Sequence, residues 1–194
     1  MTREYDAIAI DLDGTLLEKG GILADDTIAA AQQLARAGVA VALVSGRMCA
    51  SVKPFWQKLK LSTPMTGYNG AMILDNFGCM VSHKPVDIDV SRRVIEICER
   101  LNIHVNVYVD DILHVAEPGG LGQWYADYYA APLKIEGKLS DWLSAPCTKL
   151  LAIAENEQAL PGLQAMFEKE LANHPVRFTT SSGRYVEVLN PAVS

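Results

Sequence analysis

The sequence has few cysteines, no long apolar run and no cluster of basic residues, and each shortage excludes a class of protein. Its four cysteines are scattered without a C-x-x-C pair, which argues against a zinc site and against a disulfide framework. Apolar runs stay well below the roughly 20 residues of a membrane span, and the N-terminal residues lack a signal-peptide pattern. The net charge is -6 without any cluster of Lys and Arg, so a nucleic-acid surface is not expected. The sequence therefore predicts a cytoplasmic protein with neither membrane nor nucleic acid as a partner.

The composition is that of a folded, globular chain. Of its 194 residues, 49% are hydrophobic and 21% are charged, which suffices for one domain or for one domain that carries a sizeable insertion. Small anionic ligands are compatible with the negative net charge, because a local patch of donors is enough to bind them.

The first part of the chain alternates between apolar strands and an amphipathic helix. The apolar runs at 7–10 and 39–44 are each typical of a buried parallel strand. Between them lies a helix with Asp25 or Asp26 as its predicted N-cap and Gly38 just after its end. Strand, helix and strand in this order predict a right-handed βαβ unit.

Beyond residue 83 the pattern changes to that of an α+β domain with an antiparallel sheet. One hairpin is predicted about Asp110-Asp111, and another closes over Ser182-Gly183. The run WYADYY at 124–129 has helical spacing, which favours packing of Tyr125, Tyr128 and Tyr129 in a core, and contact of these tyrosines with a substrate stays open as the alternative. The predicted divisions are a parallel α/β part at 1–82, an α+β domain at 83–185 and a returning segment at 186–194.

Polar residues follow the first two predicted strands. Asp11 and Asp13 point the same way on an extended segment, because they are two residues apart. Ser45 and Arg47 follow the neighbouring strand, and ligands of open α/β sheets bind at such strand ends. Two converging carboxylates suit Mg²⁺, a hard cation that takes oxygen ligands and keeps waters that a phosphate can replace.

The paired carboxylates have two other interpretations. A calcium-binding loop shares the pattern Asp-x-Asp-Gly, but its twelfth position here is Ile22 and not Glu, which rejects that site. Alternatively, Asp11 and Asp13 only turn the chain after a strand, as Asp and Gly often do.

Three motifs stand at the predicted strand ends: DLDGTL at 11–16, LVSGR at 43–47 and YNGA at 68–71. Together they resemble the haloacid dehalogenase superfamily of phosphotransferases, in its Cof-type sugar-phosphatase branch. The resemblance implies an α/β fold, with a Rossmann-like parallel-sheet core and an α+β cap domain inserted after the third core strand. The α+β part at 83–185 stands where that cap belongs, so the resemblance extends over the whole chain.

The resemblance also implies a role for each motif residue. Asp11 is the nucleophile that forms an aspartyl-phosphate, and Asp13 is the general acid and base. Mg²⁺ is held by Asp11 and by the backbone carbonyl of Asp13. The phosphoryl group is bound by Thr15, Ser45, Gly46, Arg47 and Asn69. A structural ion pair of Arg47 and a role of Asn69 as a turn residue stay open as alternatives.

The resemblance predicts further residues that would lie beyond Ser194. In this branch a Lys-Gly pair normally follows the return from the cap, and an acidic Gly-Asp...Asn-Asp motif completes the magnesium site. We therefore expect an incomplete core, in which the strand at 7–10 becomes a sheet edge that promotes self-association.

The expected function is that of a magnesium-dependent phosphatase of small phosphorylated metabolites such as sugar phosphates. Two alternatives are kept beside it. A phosphomutase would pass the same aspartyl-phosphate to a second hydroxyl. A catalytically inactive relative would keep the cap as a ligand-binding or interaction module.

Overall fold

The computed structural model describes residues 5–193, which form two compact units. One unit ends at His83 and the other begins at Lys84. Each unit combines helices with one sheet, and the sheet of the first unit contains parallel strands. The predicted α/β class is confirmed.

The first unit is built on a five-stranded sheet with the strand order β1-β2-β3-β4-β5. Its strands are β1 (Ala7–Asp11), β2 (Ala40–Val44), β3 (Met65–Gly67), β4 (Met72–Leu74) and β5 (Met80–His83). Its helices are α1 (Asp25–Arg36) and α2 (Cys49–Lys58). Strands β1 to β3 pair in parallel, as the predicted βαβ unit requires, and β3 to β5 pair in antiparallel.

Helix α1 differs from the prediction at its start and agrees with it at its end. Asp25 and Asp26 both lie in the first turn, and the N-cap residue is Ala24, without a side-chain hydrogen bond. The prediction that one of the two is the N-cap is therefore wrong, although both carboxylates lie near the positive end of the helix dipole. Gly38 follows the C-cap Ala37 with a φ of 83°, a left-handed conformation that glycine adopts without strain.

Strand β1 is parallel to β2, as predicted, but it is not buried. Within residues 5–193 it pairs with β2 alone and forms one edge of the sheet. The side chain of Ile8 is 40% exposed, and only Ile10 reaches intermediate burial in this strand. The prediction of a fully buried strand is wrong, because burial depends on neighbours that an apolar run does not reveal. The expected edge position agrees with the structure.

The second unit is built on a six-stranded sheet with the strand order β10-β11-β9-β6-β7-β8. Its strands are β6 (His104–Val109), β7 (Ile112–Val115), β8 (Leu133–Ile135), β9 (Lys149–Ile153), β10 (Arg177–Ser181) and β11 (Tyr185–Leu189). Its helices are α3 (Ile88–Leu101), α4 (Gly120–Tyr129), α5 (Leu139–Trp142) and α6 (Leu160–Glu170). Neighbouring strands are antiparallel except for β7 and β8, which are parallel. Between residues 5 and 193, every helix is too short or too polar to cross a membrane.

Both predicted hairpins are present in the second unit. Asp110 and Asp111 join β6 to β7 with φ angles of 52° and 57°, a left-handed pair that suits a tight hairpin turn. The hairpin of β10 and β11 turns at Ser182 and Gly183. The structure departs from the predicted divisions here, because β11 lies between β9 and β10 in the sheet. Residues 186–189 therefore belong to the sheet of the second unit and not to a returning segment.

The two faces of the second sheet bury different kinds of side chain. One face, together with α3 and α6, forms an apolar core that includes Val107, Val94 and Phe167, all fully buried. The other face carries Lys149 and Glu187, whose Nζ and Oε2 atoms lie 3.3 Å apart. Their side chains are 2% and 8% exposed, so this is a buried ion pair.

Candidate active site

The ends of β1, β2 and β3 lie side by side at one edge of the first sheet. Asp11 at the end of β1 is in register with Val44 at the end of β2, and Val44 is in register with Thr66 of β3. Because the three strands are parallel, the segments that follow them leave the sheet at the same edge. All the predicted site residues lie at this edge.

The loop after β1 buries its leucines and exposes its polar side chains. Leu12 and Leu17 are at most 3% exposed, whereas Asp11 and Thr15 are exposed. The amide of Leu17 donates to the carbonyl of Leu12 at 2.8 Å and closes the turn. Gly14 adopts a φ of 75°, which would strain any residue with a side chain. The buried leucines thus anchor a loop whose polar groups stay accessible.

The segment after β2 is held by hydrogen bonds to its surroundings. Ser45 is 6% exposed, and its amide donates to the carbonyl of Thr66 at 3.0 Å. Its Oγ accepts from the amide of Arg47 at 3.2 Å. The hydroxyl proton of Ser45 can therefore still be donated to a ligand oxygen.

Gly46 and Asn69 contact each other where the segments after β2 and β3 meet. The amide of Asn69 donates to the carbonyl of Ser45 at 3.0 Å, and the amide of Tyr68 donates to the carbonyl of Arg47 at 2.8 Å. A Cβ atom at position 46 would lie 2.7 Å from Oδ1 of Asn69, so only glycine fits without displacing that side chain. Asn69 has a φ of 57°, so it is also the turn residue of the alternative interpretation.

Arg47 forms the ion pair that the sequence left open as an alternative. Its Nε lies 2.7 Å from Oδ2 of Asp13, and its Nη2 lies 2.5 Å from Oδ1. The guanidinium carbon lies 5.5 Å from the ring centre of Phe55. The Arg47 side chain is 7% exposed and that of Asp13 is 50% exposed. This bidentate pair joins two loops that are 34 residues apart and engages both carboxylate oxygens of Asp13.

Thr15 is the predicted site residue that the structure joins least to the others. Its amide donates to the carbonyl of Leu12 at 3.4 Å, within its own loop. Sequence reasoning missed Phe55, because no motif indicates where α2 packs against the loop after β2. It also gave no role to Tyr68, which is fully buried and precedes Asn69 in the YNGA motif.

A magnesium ion would find two fitting protein ligands at this edge. Within residues 5–193, no three His, Cys, Asp or Glu side chains lie close enough to form a metal site. Asp11 uses Oδ1 to accept from the amide of Leu12 at 2.8 Å, and Oδ2 can bind a cation. Because Arg47 holds the carboxylate of Asp13, the fitting ligand from that residue is its backbone carbonyl. Two hard oxygen donors suit Mg²⁺, which completes its shell with water and phosphate oxygens.

The sequence matches a model of the haloacid dehalogenase-like hydrolase family over residues 8–194. A relative from Bacillus subtilis (strain 168), 5-amino-6-(5-phospho-D-ribitylamino)uracil phosphatase YitU, is 33% identical over 118 residues, which cover 57% of this chain and 42% of the relative. Pyridoxal phosphate phosphatase YbhA of Escherichia coli (strain K12) is 33% identical over 114 residues, which cover 58% of this chain and 42% of the relative.

A solved structure with a similar fold is a haloacid dehalogenase-like hydrolase from Bacteroides thetaiotaomicron. It superposes with a TM-score of 0.88, over 98% of this chain and 73% of that one. The identity is 17%, so this likeness shows the fold alone. The chain spans less than half the length of the two curated relatives, with matches that cover 42% of each.

Proposed function

Because the chain belongs to the haloacid dehalogenase-like hydrolase family, we propose that it carries the phosphoryl-transfer residues of a phosphatase for small phosphorylated metabolites. The family that the three motifs predicted is confirmed by the match over residues 8–194. The activity rests on one observation, the meeting of two carboxylates, a serine hydroxyl and an asparagine side chain at one sheet edge.

The proposed substrate class is supported by the names of the relatives. They state a phosphorylated ribitylaminouracil for the Bacillus protein and pyridoxal phosphate for the Escherichia protein. Both are small phosphate monoesters, a class that also includes the sugar phosphates expected from the motifs. A cytoplasmic location is part of the same proposal, because metabolites of this kind are found there.

In the first proposed step, Asp11 acts as the nucleophile. One of its carboxylate oxygens attacks phosphorus, the bond from phosphorus to the leaving oxygen breaks, and an aspartyl-phosphate forms. Asp13 gives a proton to the leaving oxygen. To do this, Asp13 must release at least one of the two oxygens that Arg47 holds. Arg47 thus positions the acid and base until a substrate competes for it.

In the second proposed step, Asp13 takes a proton from water as that water attacks phosphorus, and inorganic phosphate leaves Asp11. Ser45 and Asn69 donate hydrogen bonds to the phosphoryl oxygens, Gly46 leaves room for them, and Thr15 is a further hydroxyl donor in the first loop. Magnesium held by Asp11 and by the carbonyl of Asp13 would offset the repulsion between carboxylate and phosphate.

Release of inorganic phosphate from p-nitrophenyl phosphate tests the proposal. In any form of the protein that releases phosphate, we expect Asp11→Asn to abolish release, because an amide does not serve as the nucleophile. Asp26→Asn is the matched control, because it removes an exposed carboxylate from α1. We expect it to leave the release of phosphate unchanged. Release by Asp11→Asn at the original rate would contradict the assignment of the nucleophile.

The same assay separates the two alternatives. Transfer of the phosphoryl group to a second hydroxyl, without free phosphate, would identify a phosphomutase. Binding of phosphate esters without any turnover would identify a binding module.

We also propose that the chain self-associates through β1. Among residues 5–193 the outer side of this strand has no strand partner, and Ile8 adds exposed apolar surface. An open strand edge presents unpaired N–H and C=O groups that pair readily with another strand. The occupant that we propose is the β1 strand of a second copy.

A further inference from the structure

The second unit contains a cleft between helix α4 and the hairpin of β10 and β11. We call it the aromatic cleft, and its walls include Trp124, Tyr128, Tyr129, Ser182, Arg184 and Tyr185. Its volume is about 440 Å³. Sites for small molecules are typically about 300 to 1,000 Å³, so this space suits one ring system with its substituents.

Two large aromatic side chains of the cleft are half exposed. Trp124 is 51% exposed and Tyr128 is 55% exposed. Their rings stack with centroids 5.5 Å apart and planes 18° apart, because residues i and i+4 share one face of a helix. Tyr125 of the same helix is buried and packs edge-on against Tyr108. The core position predicted from the sequence therefore holds for Tyr125 and is wrong for Tyr128.

The exposed pair offers ring faces that a ligand can cover. Aromatic rings stack favourably in offset arrangements, and the contact removes apolar area from water. Contiguous exposed apolar surface on a soluble protein often marks a binding site. The pair of Trp124 and Tyr128 therefore favours a ligand with a flat ring.

Arg184 supplies an oriented donor on the hairpin side of the cleft. Its Nε and Nη2 atoms donate to the carbonyl oxygen of Ala154 at 3.0 Å and 2.9 Å, which fixes the plane of the guanidinium. None of the described residues that line the cleft is acidic, although the net charge of the chain is -6. The acidic residue Glu157 lies outside this lining, and its side chain packs against Gly183 of the hairpin turn. The cleft thus combines an aromatic wall with a positively charged one.

We propose that the aromatic cleft binds a planar heteroaromatic ring that carries acceptor oxygens at its edge. The ring packs against the exposed surface of the Trp124 and Tyr128 pair, and its carbonyl or carboxylate oxygens accept hydrogen bonds from Arg184 and Ser182. An apolar ring would offer the guanidinium no acceptor oxygen, so the oxygens at the ring edge are part of the proposal. The proposal stands apart from phosphoryl transfer, because it rests on contacts within the second unit.

Saturation-transfer NMR with uridine tests the proposal on the complete 194-residue chain. Uridine carries a planar ring with two carbonyl oxygens, and ribose is the matched probe without that ring. We expect saturation transfer to uridine and none to ribose. Trp124→Ala and Tyr128→Ala should each weaken uridine binding about tenfold, the order expected when a base loses its aromatic stacking partner. Both side chains are half exposed, so the fold should tolerate these changes.

Asp127→Asn is the control, because it changes an exposed carboxylate of α4 that lies outside the lining of the cleft. We expect it to leave uridine binding unchanged. The proposal is overturned if uridine does not bind, if ribose binds equally well, or if both aromatic variants bind uridine normally. It is also overturned if Trp124→Ala alters self-association and not uridine binding, which would make the cleft a contact between copies.

Discussion

The two units hold their charged residues in opposite ways. In the first unit Asp11 and Asp13 stand at the open end of a sheet, and the Asp13 side chain is 50% exposed despite its bond to Arg47. In the second unit Lys149 and Glu187 pair on a buried sheet face, at 2% and 8% exposure. Accessible charge can act on a ligand, whereas buried charge has to be satisfied within the protein. Charge substitutions should therefore alter activity in the first unit and stability in the second.

After the loss of the nucleophile in Asp11→Asn, the largest effect is expected for Asp13→Asn in the first unit. Loss of general acid and base catalysis should lower phosphate release by roughly 10²- to 10⁴-fold. The free energy of unfolding should fall less than in Glu187→Gln of the second unit, because the Asp13 side chain is half exposed and water screens its pair with Arg47. Phosphate release and urea unfolding of the same preparation measure both quantities. If Asp13→Asn lowered the free energy of unfolding as much as Glu187→Gln does, charge would affect stability alike in both units, and the comparison would be contradicted.

The local parts of the candidate site could be predicted, and its long-range contacts could not. The loop after β1 is encoded by consecutive residues, with Gly14 at its left-handed position, so its place at a strand end followed from the pattern. The bond between Arg47 and Asp13 spans 34 residues, and the contact with Phe55 depends on how α2 packs. Neither contact leaves a local signal.

Burial was the other property that the pattern predicted poorly. Periodicity identifies which residues share a face, but the elements packed against that face decide whether it is buried. For this reason Ile8 of the apolar strand and Trp124 of the aromatic run are exposed. Within the same aromatic run, Tyr125 is buried. The strand and helix assignments survive, since they depend on neighbours in the sequence.

A smaller effect, on stability, is expected for Glu187→Gln in the second unit. This change removes the negative charge that lies 3.3 Å from the buried ammonium of Lys149, and removal of one partner of a buried pair typically costs about 3 kcal/mol of unfolding free energy. Urea unfolding followed by tryptophan fluorescence measures the loss, because Trp124 and Trp142 both lie in the second unit. Phosphate release per folded molecule should stay unchanged.

Asp141→Asn is the matched control for the buried pair. Asp141 and Lys138 form an ion pair at 2.8 Å whose side chains are 71% and 63% exposed. Exposed pairs of this kind contribute little to stability, so the unfolding curve should not shift measurably. If both variants were equally stable, the buried pair would not have the structural role that the comparison gives it.

The smallest effect concerns the apolar edge of the first unit, where the comparison between the units can be sharpened without replacing any of its charged residues. We expect Ile8→Lys to leave the unfolding free energy nearly unchanged, because Ile8 is already 40% exposed. It should nevertheless shift the chain towards monomer in sedimentation velocity, since a lysine on an edge strand opposes pairing with another strand.

Phe77→Lys is the control, because it removes a side chain that is 84% exposed at the turn between β4 and β5, away from β1. If Phe77→Lys dissociates the chain and Ile8→Lys does not, association depends on exposed apolar area in general. If Ile8→Lys alone does so, the open edge of β1 is the contact between copies, and the first unit then serves association as well as activity.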